Sequence, residues 1–63
     1  MFLNLELEQA NNGHTDEYVA GELGITVQDY RARKETGEFV FVEIVALLRM
    51  YGRSFEHLFR RET

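Results

Sequence analysis

The chain has no cysteine and no proline among its 63 residues. Without cysteine it has neither a disulfide framework nor a thiolate metal site, which fits a reducing compartment. Its core must therefore come from an apolar content of 44%. No proline-rich, repetitive or low-complexity segment marks a linker, and a chain this short supports one domain, residues 1–63, with a single small core.

Long hydrophobic runs are also missing. The longest nearly uncharged run, residues 39–48, is interrupted by Glu43 and is much shorter than the roughly 20 residues of a membrane-spanning helix. Residues 1–10 carry no cation, whereas a signal peptide begins with lysine or arginine. We therefore expect a soluble, cytoplasmic protein.

Positive charge is absent from the first half of the chain. Residues 1–30 contain six acidic residues and no lysine or arginine, whereas residues 31–63 contain seven basic and five acidic residues. The net charge of -4 and the isoelectric point of about 5.0 are opposite to those of a strong DNA binder. Any attraction to phosphate should be local and modest.

The first predicted helix is ambiguous in its pattern. Leu3, Leu5 and Leu7 alternate as in a strand, while Leu3, Leu7 and Ala10 have helical spacing. The length of the segment favours a helix, which the sequence NNG at residues 11–13 would end.

Two further helices have clear start and stop signals. Thr15 is a candidate N-cap for the second helix, which Gly24 ends. Thr26 begins a third, with Asp29 three residues later as a shortened capping box, and Gly37 stops it.

The segment FVFVEIVALLRMYG could be a strand at its beginning, but its apolar spacing favours a helix. We predict that this fourth helix runs from about Phe41 to Gly52, with residues 39–40 entering the core ahead of it. Ser54 caps a short fifth helix, and residues 60–63 form a solvated tail.

Helices this short depend on packing for their stability. The apolar positions of the five helices predict one core that uses most of the large apolar residues and leaves little for a ligand pocket. The predicted core residues are Leu3, Leu7, Val19, Ala20, Leu23, Ile25, Tyr30, Phe39, Ile44, Leu47, Leu48, Phe55, Leu58 and Phe59.

Several motifs follow one another in a specific order. Residues 23–26 read LGIT, residues 35–37 read ETG, and residues 52–59 combine a glycine, a cap and a short Phe/Leu helix. Over residues 4–59 this order resembles the lambda-repressor-like helix-turn-helix family, also called Cro-like or XRE regulators. The resemblance implies an all-α, compact five-helix domain that acts as a small transcriptional regulator and binds duplex DNA.

The resemblance also implies a recognition helix at about residues 26–35. Thr26 would be its N-cap, and Val27 and Gln28 would face base edges in the major groove. A glutamine amide can read adenine bidentately, whereas a valine can at best contact a thymine methyl group.

Three cations follow on the same predicted helix. By resemblance, Arg31, Arg33 and Lys34 would contact phosphates, or one arginine a guanine, and Ala32 would allow close approach. The alternative is a solvated face that balances Glu35 and Glu38.

The chain departs from the family pattern in three places. Asp16 lies where the family often has a glutamine that holds a phosphate, and Asp29 adds a second anion on the recognition helix. The spacing from Tyr30 to Glu35 is one residue longer than usual, which leaves the register of Arg33 and Lys34 open.

One recognition helix offers few phosphate contacts, so we expect a homodimer on two half-sites. A domain this small can leave parts of four large apolar residues exposed, and these residues either complete the core or contribute to the dimer seam, which the sequence does not locate: Phe41, Val42, Met50 and Tyr51.

Catalysis and cofactors are not expected. His14 and His57 have no partner at metal-ligand spacing, and Ser54 has the position of a cap rather than of a nucleophile. The competing hypothesis is a protein-interaction module or antirepressor on a helix-turn-helix fold, with weak or no DNA binding. The acidic first half of the chain favours this alternative.

Overall fold

The computed structural model describes residues 2–61, and all regular structure in this range is helical. The elements are α1 (Leu3–Asn11), α2 (Asp16–Leu23), α3 (Val27–Thr36), α4 (Phe41–Tyr51) and α5 (Phe55–Leu58). The all-α prediction is confirmed, including the helical interpretation of the two ambiguous segments. Within residues 2–61, no helix is long and apolar enough to cross a membrane.

The helix starts follow the predicted caps. The hydroxyl oxygens of Thr15, Thr26 and Ser54 each accept a hydrogen bond from the backbone N–H three residues later, at 3.0–3.1 Å. These bonds satisfy N–H groups that a helix leaves without partners in its first turn. α4 starts differently, because Val40 has no side-chain acceptor and its own N–H donates to Glu43 Oε1 at 3.1 Å.

A glycine turn sets the position of α3 relative to α2. Gly24 has a φ of +74°, and its N–H donates to the Gly21 carbonyl at 3.2 Å while the Ile25 N–H donates to the Ala20 carbonyl at 3.0 Å. This double hydrogen bond is a Schellman motif, in which the left-handed residue favours glycine. Only residues 24–26 separate the two helices, so α3 leaves α2 at a fixed angle.

The core lies among all five helices and their connections. Its buried apolar residues are Phe2, Leu5, Val19, Ala20, Tyr30, Leu47, Tyr51 and Leu58. Partly buried residues pack around them: Leu23, Ile25, Val27, Phe39, Leu48, Met50 and Phe59. Most of the predicted core from α2 to α5 is therefore confirmed.

The predicted inner face of α1 is wrong. Leu3 and Leu7 are exposed, and the residues that α1 buries are Leu5, Glu8 and Gln9. Glu8 and Gln9 point inward because their polar groups bond to residues far along the chain, so α1 is rotated away from the face that apolar spacing favours.

Two other predicted core residues are exposed. Val40 is the N-cap of α4 and half of it remains in solvent. Phe55 is also about half exposed and stacks on Phe59 with a ring-centroid distance of 5.1 Å. Phe2 takes the inner place instead, and its ring packs edge-on against Phe59 at 5.4 Å.

The end of the described chain contacts α3. Arg61 lies over the Phe2 ring at 5.4 Å, and its guanidinium donates to the Thr36 carbonyl at 3.1 Å. The predicted solvated tail therefore includes a residue that holds the C-terminus of α3, while its last two residues lie outside the described range.

Candidate nucleic-acid interface

One broad side of α3 faces solvent. Its exposed residues are Gln28, Asp29, Arg31, Ala32, Glu35 and Thr36. Tyr30 and Lys34 are buried, and Val27 and Arg33 are half-buried. The helix is thus anchored along one side and offers a polar outer face, which we define by Gln28, Arg31, Ala32 and Glu35.

Tyr30 anchors α3 to α1. The side chain is fully buried, and its hydroxyl donates to Gln9 Oε1 at 2.8 Å. Burial raises the pKa of Tyr30 far above its ordinary value, so the hydroxyl remains a donor. The Gln9 amide extends this hydrogen-bond network to α2, because its Nε2 donates to Asp16 Oδ1 at 2.9 Å. A satisfied buried network of this kind fixes the relative positions of its helices.

Asp16 is the centre of the polar network that joins α1, α2 and α3. In addition to Gln9, Lys34 Nζ donates to Oδ1 at 2.8 Å and Arg31 Nε donates to Oδ2 at 2.9 Å. Burial alone would raise the pKa of Asp16, but the hydrogen bonds from Gln9, Lys34 and Arg31 outweigh it and hold the pKa well below its usual range. Asp16 is therefore ionised at neutral pH.

Lys34 is held between carboxylates. Only 8% of the residue is exposed, and its Nζ lies 2.8 Å from Asp16 Oδ1 and 3.0 Å from Glu6 Oε2. The ammonium also lies 4.7 Å from the centre of the Tyr30 ring, a favourable cation–π geometry. Lys34 thus links α3 to α1 and α2 and does not project from the outer face.

Arg33 points toward α4. Its Nη1 lies 2.9 Å from Glu43 Oε2, and the Glu43 side chain is buried. Nη1 makes no hydrogen bond, so the pair is a close contact between opposite charges. The sequence left the directions of Arg33 and Lys34 open because of the extra residue before Glu35. In the structure Arg33 contacts α4, and Lys34 contacts α1 and α2.

Arg31 is the most accessible of the three predicted cations. Its side chain is 55% exposed, although Nε bonds to Asp16 and Nη2 lies 3.6 Å from Glu17 Oε2. The hydrogen bond to Asp16 raises the pKa of Arg31. Within residues 2–61, all three predicted cations thus have carboxylate partners, and the outer face also carries Glu35.

The start of α3 is divided between structural and accessible roles. The Thr26 hydroxyl is used as the cap, and Val27 packs against the core. Gln28 is exposed at the first turn of the helix. Of the two predicted base-reading residues, only Gln28 therefore has its side chain free of the core.

Another exposed surface lies at the start of α4. Phe41 is 77% exposed and Val42 is 71% exposed. The other two residues of the predicted dimer seam are less accessible, because Met50 packs against the core and Tyr51 is buried. Burial raises the pKa of Tyr51 to about 12, and its hydroxyl lies 3.0 Å from His14 Nδ1.

Sequence reasoning missed the partners of the α3 cations. The sequence pattern did not indicate Gln9 or Glu6 as partners of these cations, and it placed Asp16 at a position where its charge would repel phosphate. The uneven distribution of charge was the available signal. Residues 1–30 contain acidic residues and no lysine or arginine, so a carboxylate that is buried there needs a cation from the second half of the chain as its partner.

No protein-family model, curated protein or solved structure matches this chain.

Proposed function

We propose that the chain is a lambda-repressor-like transcriptional regulator of the Cro or XRE kind that reads duplex DNA with α3. The observation that carries the proposal is the exposed outer face of α3. This helix follows α2 after a three-residue turn, and Tyr30 anchors its opposite side to α1. A helix supported in this way can enter a major groove without losing its core contacts.

The roles of the α3 residues follow from their accessibility. Gln28 reads a base edge, with adenine as the best partner of its amide. Arg31 contacts a backbone phosphate, and Ala32 leaves room for the backbone to approach. Arg33 and Lys34 hold α3 in place through their contacts with Glu43, Glu6 and Asp16. They therefore affect DNA binding only by fixing the position of α3.

Tight binding needs two copies under this proposal. A single outer face with one accessible arginine makes few phosphate contacts, and the net charge of -4 opposes approach to DNA. A homodimer on two half-sites doubles the contacts. Phe41 and Val42 are the exposed apolar residues that such a pair would cover.

A binding titration at low salt tests the proposal, with random duplex DNA and with the DNA upstream of the gene itself. We expect affinity for both to fall steeply with salt. Arg31→Ala should weaken binding to all sequences and reduce the salt slope by about 1, whereas Gln28→Ala should mainly relax sequence preference. Arg49→Ala, which removes an exposed cation of α4, is the matched control. A flat titration on both DNAs contradicts the proposal.

A protein-interaction module is the second candidate, and two observations favour it. The three α3 cations are paired within the chain, and Phe41 and Val42 leave an apolar surface in solvent. Under this alternative, the DNA titration is flat and Phe41→Ser abolishes capture of a stoichiometric protein partner. Under the first proposal, DNA binds and the α3 substitutions act.

A further inference from the structure

Donors from two helices converge on a single carboxylate at the start of α2. Gln9 Nε2, Lys34 Nζ and Arg31 Nε lie 2.9, 2.8 and 2.9 Å from the oxygens of Asp16. An arginine, a lysine and an amide around one oxyanion form the kind of donor set that binds phosphate as well as carboxylate. The Asp16 side chain occupies this site from within the chain.

The two sides of the site differ in accessibility. Lys34 and Gln9 are buried and bond to Oδ1, whereas Arg31, with more than half of its side chain exposed, bonds to Oδ2. A cleft of about 240 Å³, lined by Glu6, Arg31, Lys34 and Glu35, opens beside the same two cations. An external anion can therefore reach Arg31 without unpacking the buried side.

We propose that Gln9, Arg31 and Lys34 form an oxoanion site that Asp16 fills in the free protein, and that a phosphate group competes with Asp16 for Arg31. The identification of this phosphate with the DNA backbone rests on the proposed function, whereas the oxoanion site itself does not. Asp16 then acts as an internal mask that keeps the affinity of α3 for polyanions low.

The neighbouring charges explain why the mask is effective. Glu17 lies 3.6 Å from Arg31 Nη2, and Glu6 lies 3.0 Å from Lys34 Nζ. An incoming phosphate meets these carboxylates in addition to Asp16, so the wild-type site favours its internal ligand. Replacement of Asp16 by a neutral isostere removes the competing charge and leaves the donors in place.

The direct test is a titration of Asp16→Asn with inorganic phosphate at low ionic strength, followed by the ¹⁵N–¹H signal of Arg31 Nε. We expect the signal of Asp16→Asn to shift saturably and to give an affinity for phosphate at least about fivefold higher than that of the wild type. The reason is that a competing charge within hydrogen-bond distance is removed. Glu17→Gln is the matched control, because it removes an adjacent charge that makes no hydrogen bond to Arg31. No tighter binding in Asp16→Asn than in Glu17→Gln overturns the proposal.

A second variant covers the case in which Asp16→Asn does not fold. Asp16→Gln also offers an amide to Lys34 and Gln9 and should give the same phosphate titration. If neither variant folds in plain buffer, added phosphate should restore the folded signals, because it replaces the missing carboxylate. If a variant folds and phosphate does not bind it, or if neither variant folds and phosphate does not restore folding, the oxoanion site is overturned.

Duplex DNA of random sequence separates the two parts of the inference. We expect Asp16→Asn to bind DNA about two- to fivefold more tightly than the wild type, and Arg31→Ala in that background to remove the gain. If phosphate binds Asp16→Asn but DNA binds no variant, the proposed function fails and the oxoanion site stands. If DNA binds the wild type and Asp16→Asn equally, or Asp16→Asn more weakly, the masking role of Asp16 is overturned and the proposed function stands.

Discussion

Lys34 illustrates how a cation that the sequence suggests for ligand contact becomes part of the fold. Its ammonium is nearly buried between Asp16 and Glu6 and lies over the Tyr30 ring. Removal of one partner from a buried ion pair leaves the remaining charge uncompensated. The loss in free energy of unfolding is then larger than the net contribution of the intact pair.

We predict that Lys34→Ala lowers the free energy of unfolding by about 2–4 kcal/mol, measured by urea denaturation. Arg49→Ala, on an exposed position of α4, should change it by less than about 0.5 kcal/mol. Equal effects of the two substitutions would show that the Lys34 contacts do not stabilise the fold.

The Asp16 carboxylate predicts an acid-sensitive contribution to stability. Its pKa in the folded state lies well below the ordinary value of 3.8, so the folded protein binds fewer protons than the unfolded chain. The contribution is complete above about pH 4 and is lost as the pH falls from there toward the folded pKa. Denaturation at a series of pH values should give a shallower loss below pH 4 for Asp16→Asn than for the wild type; identical slopes contradict this assignment.

The helix boundaries were predictable from the sequence because their causes are local. The side chains of Thr15, Thr26 and Ser54 accept hydrogen bonds from N–H groups three residues later. At the end of α2, the N–H of Gly24 donates to the carbonyl of Gly21, which is also three residues away. Such signals lie within a few residues of the helix boundary that they set.

The inner face of α1 was not predictable from apolar spacing, since its causes are distant in sequence. Gln9 bonds to Tyr30, and Glu8 accepts a hydrogen bond from Arg53 at 2.9 Å. The same holds for Lys34, whose partners Glu6 and Asp16 precede it by 28 and 18 residues. The family resemblance implied phosphate contact for Lys34, and only the tertiary contacts reveal its internal partners.

Gly21, within α2, and Gly24, directly after it, give a matched test of the turn that positions α3. Gly24 has a φ of +74° and Gly21 is helical, and an added Cβ at either position meets nothing within 4 Å. Gly24→Ala should therefore destabilise by about 1 kcal/mol through backbone strain alone. Gly21→Ala should stabilise by roughly 0.5–1 kcal/mol through helix propensity. Thermal unfolding of the two variants checks the opposite signs; a shift in the same direction for both contradicts the role of the Gly24 turn.

The distribution of charge links the two halves of the protein. Acids of α1 and α2 neutralise cations of α3, as in the pairs Asp16–Arg31 and Glu6–Lys34. These contacts fix the helices but consume the positive charge that would attract a polyanion. DNA affinity of one copy should consequently be low, and association of two copies becomes important to the proposed function.

Phe41 is the residue whose substitution best tests this association. Because its side chain is mostly in solvent, Phe41→Ser should change the free energy of unfolding by less than about 0.5 kcal/mol. Sedimentation should show weaker self-association than for the wild type, since the substitution removes apolar area from the proposed seam. Unchanged association would place the seam elsewhere.

DNA binding by α3 can be measured directly by titrating the ¹⁵N-labelled protein with duplex DNA at low salt and following its backbone amide signals. The proposal that α3 reads DNA predicts shifts concentrated in residues 26–32 that reverse when salt is added. No shifts at any DNA concentration, or shifts confined to the surface of Phe41 and Val42, would contradict it.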